Sequence, residues 1–197
     1  MDRPRTERGR RSRDAIVEAA AGLMYQHGIR ATSLDDVLLA AGAGKSQLYH
    51  YFANKDEVVA AVLEHQLTTV LEQQGDFRLG TWSGLRNWFD ALLEGQRARG
   101  YRGCPIGSLA AEMSAISAQM AGRVSTAFAR WEATIEAGFS DMRSHGRLRP
   151  AARPKLLATV TLAQIQGGYL LSSASQDLEP MRHALDAAYT NLRSFAP

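Results

Sequence analysis

Cysteine is almost absent from this chain, since Cys104 is the only one among 197 residues. A single thiol cannot close an internal disulfide, and five scattered histidines do not add up to the ligand spacing of a zinc site. We therefore expect a reducing compartment, no structural metal and no cofactor.

Long apolar runs are also missing. No run approaches the roughly 20 residues that span a bilayer, and the arginine-rich start is not followed by an apolar stretch of the signal-peptide type. Strand signals are weak, because the sequence contains no Asn-Gly or Asp-Gly hairpin turn and no sustained alternation of β-branched and polar residues. These absences favour an all-α, cytoplasmic protein with no membrane contact.

Positive charge is concentrated at the start of the chain. Residues 1–55 hold nine Lys or Arg against six Asp or Glu, whereas residues 56–197 hold fourteen of each, so the net charge of +3 lies in the first part. Most of the excess comes from one run of arginines, namely Arg3, Arg5, Arg8, Arg10, Arg11 and Arg13. Such a run can follow a phosphate backbone or a minor groove, although a solubilising tail has the same composition.

Helical periodicity dominates the rest of the pattern. Apolar residues recur every three or four positions between Ser12 and His27, which predicts a first helix that stops at Gly28. Ser33 with Asp36, and Asn54 with Glu57, are capping pairs that predict the starts of the second and fourth helices. A short third helix is predicted over 45–52, and five more over 82–99, 106–115, 118–145, 154–174 and 177–195, which makes about nine in all.

Two short helices joined by a glycine turn and preceded by a longer helix are typical of a helix-turn-helix DNA reader. In the third helix, Leu48 and Phe52 lie at i and i+4 and form an inward apolar anchor, which leaves the polar side chains for bases and phosphates. The predicted DNA-binding residues are Thr32, Ser33, Lys45, Ser46, Gln47, Tyr49, His50 and Lys55. We predict a DNA-binding domain with a basic arm over 1–53 and a larger helical domain over 54–197, for ligand binding and dimerisation.

Residues 16–63 resemble the tetracycline-repressor (TetR) family. The resemblance rests on four blocks in order and spacing, namely 28–34 (GIRATSL), 40–43 (AAGA), 48–52 (LYHYF) and 54–57 (NKDE). It implies a homodimer that binds a palindromic operator in double-stranded DNA and is released when a small-molecule inducer binds the C-terminal domain. Gly44 departs from the pattern, because many members of the family carry serine or a similar polar residue there.

The last two predicted helices carry apolar seams that are typical of paired helices. Gly167 and Gly168 each cost about 1 kcal/mol within a helix, so another backbone is expected to approach there. A dimer interface meets that requirement, and so does packing inside one chain. The predicted interface residues are Leu156, Val160, Gly167, Leu178, Met181, Leu185 and Leu192.

The middle helices are rich in aromatic residues that could line a pocket for a hydrophobic or aromatic inducer, although most such residues are ordinary core. The predicted ligand-binding residues are Trp88, Leu92, Cys104, Met113, Trp131, Gln164 and Tyr169. Cys104 precedes a predicted helix and follows Arg102, and both features would lower a thiol pKa. The segment from Arg102 to Glu112 is also similar to one in family members that sense electrophiles, so electrophile or redox sensing is an alternative to an inert thiol.

Enzymatic activity is not expected. No Gly-x-Ser-x-Gly elbow or phosphate-cradling loop occurs, and no residue order predicts a Cys-His pair with an orienting third group. An activator or a nucleoid-organising protein without ligand release remains a second alternative to the repressor.

Overall fold

The computed structural model of the protein describes residues 6–197, so the predicted contributions of Arg3 and Arg5 lie outside the described residues. Within that range the chain forms nine α-helices and no strand, as the sequence predicts. The helices are α1 (Glu7–His27), α2 (Leu34–Ala41), α3 (Lys45–Tyr51), α4 (Lys55–Gly75), α5 (Trp82–Ala98), α6 (Pro105–Ile116), α7 (Ala118–Ser144), α8 (Pro154–Ser175) and α9 (Glu179–Arg193).

The described residues form two compact units. The first contains the chain up to Thr69 together with Ser108–Ala127, and the second contains Val70–Gly107 and Phe128–Pro197. This partition differs from the predicted division between residues 53 and 54, because α4, α6 and α7 each contribute residues to both units. No helix in residues 6–197 combines the length and apolar character needed to cross a membrane.

Helix α1 begins five residues before the predicted start at Ser12. Thr6 caps it, since its Oγ1 accepts a hydrogen bond of 3.1 Å from the Gly9 amide. The first turns carry arginines and no apolar stripe, so periodicity could not detect them, although arginine is a good helix former. Arg8, Arg10 and Arg11 are therefore exposed residues of a helix and not of a tail.

The short helices of the first unit are shaped by their caps and their buried anchors. The Ser33 hydroxyl accepts from the Asp36 amide while the Asp36 carboxylate accepts from the Ser33 amide, so the predicted capping box of α2 is confirmed. Gly42 ends α2 at φ 60°, a left-handed conformation that favours glycine. Leu48 and Phe52 are buried, which confirms the inward anchor of α3.

Helices α8 and α9 pack closely in the second unit. A Cβ placed on Gly168 would lie 3.0 Å from the Ala184 Cβ and 3.2 Å from the Met181 Cα, so this glycine permits a close approach inside one chain. A Cβ on Gly167 would meet nothing within 4 Å. The alternative of packing within one chain therefore accounts for Gly168, whereas Gly167 faces open space.

Candidate nucleic-acid interface and ligand cavity

Helix α3 presents one polar face. Its Lys45, Ser46, Gln47, Tyr49 and His50 side chains are all exposed, and Tyr49 retains 59% of its accessible surface although its ring is apolar. Leu48 fixes the opposite side because it is fully buried. The rotation of α3 about its axis is thus set by the core, and the predicted readout residues point outward together.

Two of these side chains make weak contacts that DNA can replace. The Gln47 Oε1 accepts from the Gly44 amide at 3.0 Å, and its Nε2 donates to the Ser12 Oγ at 3.3 Å. The Lys45 Nζ lies 3.1 Å from an Asp35 carboxylate oxygen, and both side chains are more than two-thirds exposed. Exposed pairs of this kind contribute roughly 0–1 kcal/mol, so exchanging them for a base or a phosphate costs little.

The two DNA-binding residues predicted at the N-terminus of α2, Ser33 and Thr32, lie in different environments. Ser33 is exposed, and its hydroxyl donates to Asp36 at 2.6 Å, which with the Ser33 amide holds the pKa of the Asp36 carboxyl below its usual range. Thr32 is 2% exposed, and its hydroxyl donates to the Gly28 carbonyl at 2.8 Å. A hydroxyl buried in this way has no path to a phosphate in this conformation, so Thr32 is left out of the interface proposed below.

The turn between α1 and α2 is held by two charged side chains that converge on Ile29. The Glu112 carboxylate of α6 accepts from the amides of Ile29 and Arg30, at 3.1 Å each, and the Lys55 ammonium of α4 donates to the Ile29 carbonyl at 2.6 Å. The sequence predicts that Lys55 contacts phosphate, but in the structure its ammonium stabilises the turn before α2 of the helix-turn-helix. Sequence reasoning missed the role of Glu112, because nothing local pairs positions 83 residues apart.

Positive charge on α1 adds to the same unit. Arg8 and Arg10 are exposed, and Arg11 pairs with Glu7 one turn earlier at 3.1 Å. The Arg13 guanidinium lies 5.2 Å from the centre of the Phe52 ring, which ties the start of α1 to the end of α3.

The second unit encloses a cavity of about 70 Å³. Its walls are mostly apolar and aromatic, with one cation and no carboxylate. The lining residues are Val70, Gln73, Gln74, Phe77, Trp88, Ala91, Leu92, Arg99, Cys104, Pro105, Trp131 and Tyr169. One buried water needs roughly 10–15 Å³ of such a cavity. The cavity therefore has room for about five waters, and it suits a compact ligand.

Five of the seven predicted ligand-binding residues line this cavity: Trp88, Leu92, Cys104, Trp131 and Tyr169. The Gln164 amide is not among them, although its Oε1 is buried without a hydrogen-bond partner. Met113 is fully buried and belongs to the first unit. Ligand contact by any of these residues stays a prediction.

Most polar groups of the cavity wall are already satisfied. The Gln74 Oε1 accepts from the Trp131 indole and its Nε2 donates to the Thr134 hydroxyl, both at 2.7 Å. One Arg99 terminal nitrogen donates to the Tyr169 hydroxyl at 3.3 Å, but the Arg99 Nε is buried and has no partner. Sequence reasoning missed Arg99 because it lies at the polar end of α5, outside the aromatic pattern.

Cys104 is not the activated thiol that its sequence position suggested. It is 3% exposed, and burial raises the pKa of the thiol above its ordinary value. Hydrogen bonds from the Gly107 amide and from Gln166 act in the opposite direction but do not reverse the shift. The expected lowering of the thiol pKa is therefore wrong, because desolvation raises the pKa by more than the nearby helix N-terminus lowers it.

One face of α8 carries apolar side chains that the chain leaves exposed. Leu156 is 50% exposed, Val160 37%, Leu170 69% and Leu171 59%. They follow one stripe, to which the open side of Gly167 also belongs.

The predicted interface residues of α9 lie elsewhere. Met181, Leu185 and Leu192 are between 0% and 2% exposed because their own chain buries them, and Leu178 is half-buried. A side chain with no exposed surface cannot contact a second copy, so these three positions are left out of the interface proposed below.

Known families match both parts of the chain. Residues 16–62 match the family of bacterial regulatory proteins named for tetR, and residues 82–187 match the C-terminal domain of LmrA/YxaF-like transcriptional regulators. The chain therefore belongs to the TetR family of transcriptional regulators, which are DNA-binding helix-turn-helix proteins and not enzymes.

Individual relatives match over nearly the full length. An uncharacterised helix-turn-helix transcriptional regulator in the lacX 3′ region of Lactococcus lactis is 28% identical over 190 residues, which cover 92% of this chain and 93% of the relative. The transcriptional regulator LmrA of Bacillus subtilis is 27% identical over 177 residues, with 87% and 92% covered. A TetR transcriptional regulator of Chloroflexus aurantiacus has the same fold, with a TM-score of 0.81 at 21% identity and 97% and 98% covered.

Proposed function

We propose that the protein is a repressor that binds a palindromic operator as a homodimer and releases it when a small hydrophobic molecule binds the second unit. The observation that carries the proposal is the outward polar face of α3, fixed by the buried Leu48 and Phe52. Such a face on a helix-turn-helix unit fits the major groove.

In this proposal Gln47 pairs with an adenine edge and Lys45 with guanine or phosphate. Ser46, Tyr49 and His50 complete the face. Ser33 donates to a phosphate at the start of α2, where the helix dipole favours an anion, only if its hydroxyl leaves the Asp36 carboxylate, a contact of 2.6 Å. Arg8 and Arg10 supply sequence-independent attraction to the backbone. Lys55 joins them only if its ammonium leaves the Ile29 carbonyl, a contact of 2.6 Å.

The homodimer is proposed to form through the exposed face of α8. A row of three leucines and a valine left in water is costly, at about 25 cal/mol per Å² of apolar surface, and a second copy offers a matching row. Gly167 would let the two α8 backbones approach closely, because its open side meets nothing within its own chain. In this proposal the two α3 helices of the dimer read half-sites about 34 Å apart, which is one duplex turn.

Ligand release requires only modest coupling. A coupling free energy of about 1–3 kcal/mol between ligand binding and operator binding changes operator affinity roughly 5- to 150-fold. The turn at Ile29 is a suitable point of control in the first unit, because Lys55 of α4 and Glu112 of α6 both hold it.

Operator selection from a random duplex library tests the proposal. We expect one palindrome to be enriched, with affinity that falls steeply as salt rises. Gln47→Ala should relax the preference at one base position by about 1–3 kcal/mol, whereas Arg8→Ala should weaken all sequences alike and reduce the salt slope by about one.

Other outcomes would favour other functions. A library without any enriched palindrome would contradict sequence-specific repression and favour an architectural DNA-binding protein. An enriched operator that no hydrophobic ligand releases would contradict the sensing step alone.

A further inference from the structure

The cavity of the second unit holds one uncompensated cation. Arg99 is half-buried at the end of α5, and its Nε is buried without a hydrogen-bond partner. In the part of the chain that the structure describes, no carboxylate forms an ion pair with Arg99, and the cavity wall contains no Asp or Glu. Partial withdrawal of a charge from water without an opposite charge is costly, and an anionic ligand in the cavity would offset that cost.

The chain makes room for this guanidinium. A Cβ placed on Gly95, one turn earlier in α5, would lie 2.8 Å from one terminal nitrogen of Arg99 and 3.1 Å from the other. The absence of a side chain at Gly95 therefore lets the Arg99 side chain fold back along its own helix. There it donates to the hydroxyl of Tyr169, another cavity residue.

The position of Arg99 at a helix C-terminus does not account for its placement. A helix dipole favours a cation at its C-terminus whether that cation is exposed or partly buried, so the dipole does not require the Arg99 guanidinium to leave water. Arg97 illustrates the exposed arrangement: its guanidinium pairs with Glu94 at 2.9 Å, with both side chains more than 60% exposed. Arg99 instead shares its cavity with three aromatic residues, Phe77, Trp88 and Trp131.

We propose that the ligand of this cavity is a compact organic carboxylate with a flat apolar body, whose carboxylate is bound by the Arg99 guanidinium. The planar guanidinium matches a carboxylate in two parallel hydrogen bonds, and Arg99 is the cation among the described residues that line the cavity. The aromatic walls receive the body of the ligand. The inference rests on the proposed function, since it names the chemical class of the inducer.

The test compares matched carboxylates and amides on the full-length protein. Acetate, butyrate, benzoate and phenylacetate are titrated calorimetrically against acetamide, butyramide, benzamide and phenylacetamide, which have the same size without the charge. We expect at least one aromatic carboxylate to bind about ten- to a hundredfold more tightly than its amide, as charge-assisted hydrogen bonds predict.

Four variants locate the effect. Arg99→Met should abolish the preference for the carboxylate, Arg99→Lys should keep part of it, and Arg97→Met on the same helix should leave it unchanged. Gly95→Ala keeps the guanidinium but displaces it, so it should weaken carboxylate binding without unfolding α5.

The proposal is contradicted if no carboxylate binds better than its amide, or if Arg99→Met retains the preference. Failure of the proposed function would look different. In that case the carboxylate would bind with the expected dependence on Arg99, while operator affinity would stay the same with and without it.

Discussion

At the scale of single residues, a few long-range hydrogen bonds that local sequence patterns do not contain hold the turn before α2 and the cavity wall. Ser33 and Asp36 form a capping box that a spacing of three residues predicts. Glu112 and Ile29 lie 83 positions apart, and only the folded chain brings them together. The position of Arg99 is likewise absent from any local pattern, because it lies outside the aromatic periodicity and its neighbours in the cavity belong to several helices.

Glu112→Gln tests the brace at the turn between α1 and α2. The amide keeps one acceptor oxygen but loses the charge, so one of the two bonds to the amides of Ile29 and Arg30 is lost or weakened. We expect the free energy of unfolding in urea to fall by about 1–2 kcal/mol. Glu94→Gln, at an exposed pair with Arg97, should change it by less than about 0.5 kcal/mol. Equal losses of unfolding free energy in the two variants would show that Glu112 does not stabilise the turn between α1 and α2.

The Cys104 thiol gives a second prediction at this scale. Because burial raises its pKa, the native thiol remains protonated at pH values where an unfolded thiol, with a pKa of about 8.5, begins to ionise. Iodoacetamide should therefore modify the native protein at least about tenfold more slowly than the urea-unfolded protein, as followed by mass spectrometry. Equal rates would restore the electrophile-sensing alternative.

At the scale of helices, the sequence predicts the interior better than the ends. All nine helices and the buried anchor of α3 follow from apolar spacing and glycine breaks. The first turns of α1 could not be predicted in this way, because they extend beyond the core and their arginines give no apolar periodicity. The spacing predicts the apolar seam of α9, but spacing alone cannot tell whether a seam faces its own chain or a second copy. Met181 and Leu185 face their own chain.

Gly168 makes the packing of α8 against α9 testable. Gly168→Val would push side-chain atoms into Ala184 and the backbone at Met181, which already lie 3.0 and 3.2 Å from a bare Cβ. We expect a loss of about 1–3 kcal/mol in unfolding free energy, as for other overpacked sites. Gly122→Ala in α7 is the control, because its Cβ would meet nothing within 4 Å and the helix should gain up to about 1 kcal/mol. A harmless Gly168→Val would refute the close approach.

At the scale of the whole molecule, the fold and the family follow from the sequence, whereas the assembly and the ligand are proposals. Four sequence blocks in the first 57 residues indicate the family that residues 16–62 and 82–187 confirm. The second unit carries no comparable motif, since a cavity can be lined by many combinations of apolar residues. Its ligand class therefore depends on the placement of Arg99 and not on a sequence pattern.

Leu170→Lys tests the proposed dimer. Leu170 is 69% exposed on α8, so a lysine there costs the monomer little but places two charges together in a two-fold interface. Light scattering after size exclusion should show a monomer. Leu39→Lys is the matched control, because Leu39 is 85% exposed on α2 and outside that face, and this variant should remain dimeric. If Leu170→Lys also remains dimeric, the interface lies elsewhere.

The most direct test of the account is to count the protomers bound to the selected operator by sedimentation, while the spacing between its two half-sites is varied. We expect two protomers on the natural spacing, and a sharp loss of affinity when about five base pairs, or half a duplex turn, are inserted between the half-sites. One protomer per half-site, bound equally well at every spacing, would contradict it.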